Sequence, residues 1–374
     1  MNKNTKPSRA RITEKDALYL AFLSKFPAAD AEALSYLSLR ESNPFGAPEG
    51  ELTDPSGITK RMLKLTRLGA VNRHRSVVSG TTHYGVTEFG HEATRHYGYD
   101  IPAYRGIDGL HISTLEHHRC VALTAAKFAS PIGAFKETLG IDPVPLDLII
   151  SEKEIDRAYV RTRDKLKSLR DSGKDQATFP LYRKAALQKM LKQVTDGTTD
   201  ARYIIRNHPE FLTVSTPSSK NGAYKDIHKP DLALRLDDIR RQPTGTKAKN
   251  WMCEIELSSK TADEYERIMR TLRADLSEGT TYEKVIYFTG TKGIANALRQ
   301  ADDNAGTGLI DARRLHILTI EGRQRRNQTV TVPSTPPATV TTAHLPSADT
   351  IPMTSRGLPR HVPSMTNAPV IGGE

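Results

Sequence analysis

Polar and apolar positions first fall into helical phase. In "TEKDALYLAFLSKF" the residues Ala17, Leu18, Leu20, Ala21 and Phe22 make one apolar stripe. Thr13 and Asp16 stand where an N-cap is expected, so the pattern predicts a capped helix. "ADAEALSYLSL" predicts a second, shorter helix. A Gly/Pro/Ser-rich loop, "RESNPFGAPEGELTDPSG", separates it from a third, "ITKRMLKLTRLG", which Gly69 closes. The runs "AVNRHRSVV" and "THYGVTEFG" flank Ser79 and Gly80 and predict a β-hairpin.

Residues 98–111 are rich in turn formers and read as a linker. A helix over "STLEHHRCVALTAAKFA" then leads to the apolar run "LDLII" and to two basic helical segments, "SEKEIDRAYVRTRDKLKSLRDSG" and "FPLYRKAALQKMLKQV". Farther on the period changes to two. "HKPDLALRL", "NWMCEIEL", "KVIYFTG" and "RLHILTI" read as strands, with helices at "TADEYERIMRTLRADL" and "GIANALRQA" between them. That alternation predicts an α/β (α+β) domain with a mixed sheet. Beyond residue 322 the Pro/Thr/Ser-rich composition cannot bury enough apolar area to order itself. The expected layout is a disordered basic arm (1–11), a helical domain with a hairpin (12–97), the linker (98–111), a mixed-sheet domain (112–321) with a basic helical insertion at about 156–222, and a disordered tail (322–374).

Charge sharpens this picture. The 374 residues carry a formal net charge of +11, which makes a polyanion the first partner to consider. The two cysteines, Cys120 and Cys253, lie far apart in apolar surroundings, which supports neither a disulfide framework nor a thiolate metal site. No apolar run approaches the roughly 20 residues that cross a bilayer, and the polar N-terminus has no signal-peptide core. The expectation is a cytoplasmic protein with no membrane partner.

The third helix divides its residues by chemistry. Ile58, Met62, Leu65 and Leu68 form a candidate buried stripe, and Lys60, Lys64 and Arg67 follow i, i+4, i+7 spacing on a cationic face. Such a helix suits a major groove, with the cations at phosphates and Thr59 or Arg61 near base edges. Arg73 and Arg75, with His74, extend the cationic run into the hairpin and toward the flanking backbone. Over residues 12–97 this order of elements resembles the winged helix-turn-helix superfamily, with an unusually long loop before the third helix. The resemblance implies binding to double-stranded DNA; a solvated basic face or a protein contact is the alternative.

Acidic residues make the other candidate site. Strand alternation sets Trp251, Cys253, Ile255 and Leu257 on one face of "WMCEIEL" and Glu254 with Glu256 on the other. Asp231, just after Pro230, is in phase opposite Leu232, Leu234 and Leu236. If the two strands are neighbours, Asp231, Glu254 and Glu256 converge, and three carboxylates repel unless a cation lies among them. Magnesium or manganese suits such oxygen ligands and could polarise a scissile phosphate. Ordinary cross-strand neutralisation by Arg235 or Lys260 is the competing expectation.

"KPD" at 229–231 and "EIE" at 254–256 resemble the PD-(D/E)xK nuclease superfamily. That resemblance implies metal ligation by the acids and a lysine two positions after the second acid to orient water. Glu256 occupies that place here; Lys260, Arg267 and Arg270 are candidate substitutes, so the implied catalytic set is Asp231, Glu254, Glu256 and Lys260. Glu116 or Glu152 could add a helix acid. "LEHHRCVALTAAKF", "IISEKEIDR", "HKPDLALRL" and "WMCEIELSSKTADEYERIMRTL", in that order, resemble the replication-relaxation family of actinobacterial plasmids and mobile elements over residues 12–321. This implies replication or DNA relaxation for a plasmid, phage or integrated element, by nicking or as a non-catalytic regulator, beside replication or conjugation proteins.

Three weaker motifs point elsewhere. "HEATRH" at 91–96 spaces its histidines by five, which puts the rings on different faces of a helix and argues against zinc. "FTGTKG" at 288–293 reads as a strand-to-helix turn. Adjacent His117 and His118 diverge by about 100° on a helix, so one is expected buried and the other exposed.

Overall fold

A computed structural model describes residues 11–39, 51–77, 79–99, 101, 106–174, 178–198, 208–217, 224–235, 250–278 and 281–320. The basic arm up to residue 10, most of the long loop and the C-terminal tail lie outside them. Helix α1 (Glu14–Lys25) starts as its sequence signal says: the Thr13 hydroxyl accepts the Asp16 N–H, and the Asp16 carboxylate accepts the Thr13 N–H at 2.6 Å. Tyr19, Leu20, Phe22 and Leu23 bury its apolar side. Asp30 caps α2 (Ala31–Ser35), and Asp54 followed by Pro55 starts α3 (Pro55–Arg67). Ile58, Met62 and Leu65 are buried as the periodicity requires, and Leu68 packs at the margin. Strands β1 (Val71–Arg75) and β2 (Thr82–Val86) pair antiparallel from Val71↔Val86 to Arg75↔Thr82, which is the expected hairpin. Helix α4 (Glu88–Arg95) returns against α1.

The rest is organised by one mixed sheet. Helices α5 (Leu115–Ala129) and α6 (Lys136–Leu139) precede β3 (Ile149–Ser151), α7 (Glu152–Asp171) and α8 (Phe179–Thr195). A separate antiparallel pair follows, β4 (Val214–Pro217) and β5 (Tyr224–His228). Then come β6 (Leu232–Leu234), β7 (Asn250–Glu256), α9 (Ala262–Glu278), β8 (Tyr282–Thr289), α10 (Lys292–Asn304) and β9 (Leu315–Thr319). The sheet order is β3-β6-β7-β8-β9. Its first two pairings are antiparallel and its last two parallel, because the α9 and α10 crossovers return the chain in the same direction. The architecture is therefore mixed α+β.

The two faces of β7 belong to different cores. Trp251, Cys253 and Ile255 pack with Leu232, Leu234 and Phe288 in a cluster that also holds the apolar faces of α1, α3 and α5. Met252 packs with Ala233, Val285, Tyr287 and the inner sides of α9 and α10. Among the described residues of the expected linker, packing continues from one side to the other. Ile107 is buried with Ala28 and Leu115, and a Cβ at Gly85 would sit 2.6 Å from the Ile107 Cβ, so only glycine lets β2 pass that close. Residues 12–97 and the sheet thus share one hydrophobic core.

The basic insertion is also fastened to the sheet. Buried Arg183 of α8 donates to the Phe211 carbonyl at 3.0 and 3.1 Å and to the Thr281 hydroxyl at 2.7 Å, with Asp275 at 3.7 Å. No helix among the described residues is long and apolar enough to cross a membrane.

An ion pair with almost no solvent access joins the first helix to the sheet region. Lys25 Nζ lies 3.3 Å from Glu154 Oε1, with their side chains 2% and 4% exposed. Lys25 also donates to the Leu146 carbonyl at 3.0 Å, and Glu154 Oε2 accepts the Ser151 N–H and hydroxyl at the start of α7. Removing one member leaves a buried charge uncompensated, so Lys25→Met is expected to cost about 3–5 kcal/mol in denaturant unfolding. Adding Glu154→Gln, which removes the orphaned charge, should recover most of that loss. Equal stability of Lys25→Met and wild type would show that the pair is not desolvated.

Candidate functional site

The cationic surface is built by α3 and the hairpin. Lys60, Arg67, Arg73 and Arg75 are exposed and Lys64 is half-buried, so the i, i+4, i+7 face presents its charges while Ile58, Met62 and Leu65 hold the helix from behind. Thr59 is exposed, but its hydroxyl donates back to the Pro55 carbonyl at 3.0 Å. Arg61 departs from the sequence expectation. Its guanidinium pairs with the fully buried carboxylate of Asp16 and donates to the Thr13 hydroxyl at 3.2 Å. It locks α3 to the start of α1 and is not presented to a base edge. The i+1 offset from Lys60, which turns a side chain toward the core, was the available signal.

The acidic cluster sits where β6 and β7 run side by side. Register Leu232↔Cys253 sets Asp231 beside Glu254, on the face that carries Met252 and Tyr287. Asp231 Oδ2 accepts the Ile255 N–H at 2.7 Å. Glu152, the first residue of α7, lines a small cavity with Asp231, His117, His118 and Lys153. Burial raises the Glu152 pKa, and the Asp231 charge raises it further. Of the two helix acids considered, Glu116 is half-exposed and held by Arg119 at 2.7 Å, so Glu152 is the one that joins the cluster.

Asp231, Glu254 and Glu256 each already meet a basic side chain of the protein. His117 Nε2 lies 3.3 Å from Asp231 Oδ1 and 3.2 Å from the Ile255 carbonyl oxygen. His228, at the end of β5, meets Glu254 Oε1 at 2.8 Å. Glu256 turns to Lys260, whose ammonium also stands 5.9 Å from the Tyr265 ring. Lys229 and Lys153 bind Asp156 at 2.8 and 3.5 Å along the margin. Of the three acids expected to converge, register sets Asp231 beside Glu254, and Glu256 pairs with Lys260. Arg267 and Arg270 are exposed on α9, and Arg270 binds Glu266 at 2.7 Å.

A divalent ion would need several of these oxygens turned to one point. They are instead engaged by imidazole, ammonium and N–H donors, and no group of three His, Cys, Asp or Glu side chains among the described residues is placed to hold a metal ion. The arrangement as it stands fits internal charge balance better than it fits magnesium or manganese. The histidines were not singled out for this role in the sequence: His117 sits on a helix and His228 precedes Lys229 by one residue, and only the register brings them to the acids.

The neighbouring acids shift both rings toward the charged form. The Glu254 carboxylate pushes the His228 pKa up to about 9, and hydrogen bonding to Asp231 raises that of His117. Burial pushes the Glu254 carboxyl up, against the pull of His228. Burial lowers Lys260.

The discounted motifs behave as local structure. His91 is buried on α4 and meets Ser24 Oγ at 2.9 Å, and His96 is the exposed C-cap of that helix. Thr291 caps α10 directly after β8, as a plain strand-to-helix turn would. His117 and His118 are both half-buried, which corrects the expectation of one buried and one exposed ring. Cys120 and Cys253 are buried free thiols.

Fold and site together define a mixed α+β protein that presents a cationic helix and hairpin and holds a histidine-balanced acidic cluster at a strand junction. The chain matches no family model, no curated protein and no solved structure.

His228 has a folded pKa above the ordinary imidazole value, so its charged ring stabilises the fold fully below about pH 6.5. That contribution is lost as pH rises toward about 9. Thermal melts across this window should fall more steeply for wild type than for His228→Gln. Parallel curves would mean that the His228–Glu254 pair does not form in solution.

Proposed function

We propose that this chain is a double-stranded DNA-binding protein which grips the phosphate backbone through α3 and the β1–β2 hairpin, in the manner of a winged helix-turn-helix. The observation that carries the reading is the exposed set Lys60, Arg67, Arg73 and Arg75, with half-buried Lys64 among them, on a helix and hairpin whose opposite sides are anchored in the core. A cationic face of that kind gains affinity by releasing counterions from phosphates. Resemblance to the replication-relaxation family extends the reading to service for a plasmid, phage or integrated element. The acidic cluster, in which His117 meets Asp231, His228 meets Glu254 and Lys260 meets Glu256, supports a non-catalytic regulator or replication accessory protein with a nuclease-like fold.

Metal-dependent nicking is the second reading. It is favoured by one observation, the placing of Asp231 beside Glu254 and in one cavity with Glu152, with the Asp231 charge adding to burial in raising the pKa of both glutamates. Supercoiled plasmid incubated with Mg²⁺ or Mn²⁺ separates the two. The first reading expects no nicking above background. Nicking that needs metal and disappears in Glu254→Ala would replace it with the second.

Binding is tested by the salt dependence of mobility shifts. Replacing Lys60, Lys64 and Arg67 together by Ala should weaken binding to all duplexes and lower the slope of log K against log salt by ~3, about one per lost phosphate contact. Arg61→Ala should instead lower thermal stability through the loss of its Asp16 partner, with the slope unchanged. An unaltered slope in the triple variant would place the binding surface elsewhere.

A further inference from the structure

We propose that the outward side of α8 is a docking surface for a partner helix that carries Glu or Asp along both borders of an apolar seam. The proposal is independent of the DNA-binding reading and uses none of its residues. Along α8 the positions Leu181, Ala185, Gln188 and Lys192 follow the spacing that keeps side chains on one side of a helix. All four are exposed, Leu181 by 57%. Lys184 and Lys189 are exposed too, and at about 100° per residue they fall on opposite borders of this stripe. In a two-helix seam the stripe takes the a and d places. The two lysines take the g and e places, where facing charges choose the partner.

The stripe is held from behind. Phe179, Arg183 and Leu187 on the inner side of α8 are buried, and Tyr182, Ala186 and Met190 pack there with Phe211. Arg183 is tied further to the Phe211 carbonyl and the Thr281 hydroxyl. A partner therefore meets a helix that is already formed and does not have to order it.

Charge decides the occupant. The run Phe179–Thr195 contains no Asp or Glu, and among the described residues Lys184, Lys189 and Lys192 form no ion pair. A second copy of the same side would set lysine against lysine and be repelled. The chain after residue 321 carries five arginines against Asp349 and Glu374, so its composition offers no complement either. Acids on the borders of an apolar seam answer both features at once: carboxylates meet the lysines, and leucine-like side chains cover Leu181 and Ala185. A phosphate backbone would meet the lysines alone and leave Leu181 in water.

The test uses the full chain and two synthetic helical peptides several heptads long, each with Leu at every a and d position. One carries Glu at every e and g position and the other Lys. In titrations at about 150 mM salt, which screens distant charges, the Glu peptide should bind wild type and the Lys peptide should not. Lys184→Glu/Lys189→Glu should weaken the Glu peptide by at least about tenfold and gain binding to the Lys peptide, a gain that misfolding cannot produce. Leu181→Gln should weaken the Glu peptide with the charges intact. The Lys60/Lys64/Arg67→Ala protein should bind it as wild type does. Wild type that ignores the Glu peptide, or a charge-reversed variant that binds it equally, would overturn the proposal. So would loss of the Glu peptide with no gain of the Lys peptide, which would leave unspecific charge attraction, or loss confined to the α3 variant. A charge-reversed variant that keeps the Glu peptide but loses part of its salt dependence on duplex DNA would assign the surface to nucleic acid instead.

Discussion

The buried pair of Lys25 and Glu154 is the constraint on which the arrangement of this protein turns. Lys25 ends the first helix, and Glu154 sits in the first turn of α7, directly after the edge strand β3. Two charges with so little solvent cannot drift apart without each losing its only adequate compensation. The contact therefore fixes α1 against the sheet, and with α1 go α3 and the hairpin, because Asp16 of α1 holds Arg61 of α3. The same carboxylate closes the capping box of α7 with Ser151, so one residue sets both where α7 begins and what it leans on. Glu152 is thereby delivered to the cavity beside Asp231.

Charge compensation from within the chain is the theme of the acidic cluster as well. A solvated carboxylate in a strand needs no special partner, but Glu254 and Glu256 are 8% and 7% exposed and must be met. The partners arrive from separate elements: His117 from α5, His228 from β5 and Lys260 from the turn before α9. His117 spans an acidic side chain and a backbone carbonyl at once, which neutralises Asp231 and satisfies a strand-end acceptor in one contact. The cluster is thus held together by electrostatics that draw on three parts of the fold.

The two cationic surfaces follow a common design. In α3 and in α8 alike, an apolar stripe and one paired arginine fasten the helix, and the exposed cations on the far side are left to the solvent or an anionic partner. Arg61 and Lys25 are cations that build the protein, whereas Lys60 and Arg67 are displayed by it. Both kinds lie in basic or mixed-charge helices; burial alone tells them apart.

Much of the architecture was written in local signals. The Thr13/Asp16 box, the Ser79–Gly80 turn and the alternation in β7 depend on residues within a few positions of one another, and such short-range steric and hydrogen-bonding preferences survive in any context; the Asp54–Pro55 start of α3, read from the sequence as loop, is one turn earlier than expected. The chain by itself also determined that Glu254 and Glu256 share a face and that Lys60, Lys64 and Arg67 share another. Tertiary structure decided everything that depends on partners far apart in sequence. It placed Glu152 in a cavity with Asp231 while Glu116 pairs with Arg119, turned Arg61 toward Asp16, gave Glu256 to Lys260 and brought two histidines to the acids. The reason is physical: a periodicity says which way a side chain points, but strand register and helix docking say what it meets, and the cost of a buried charge is settled only by that meeting.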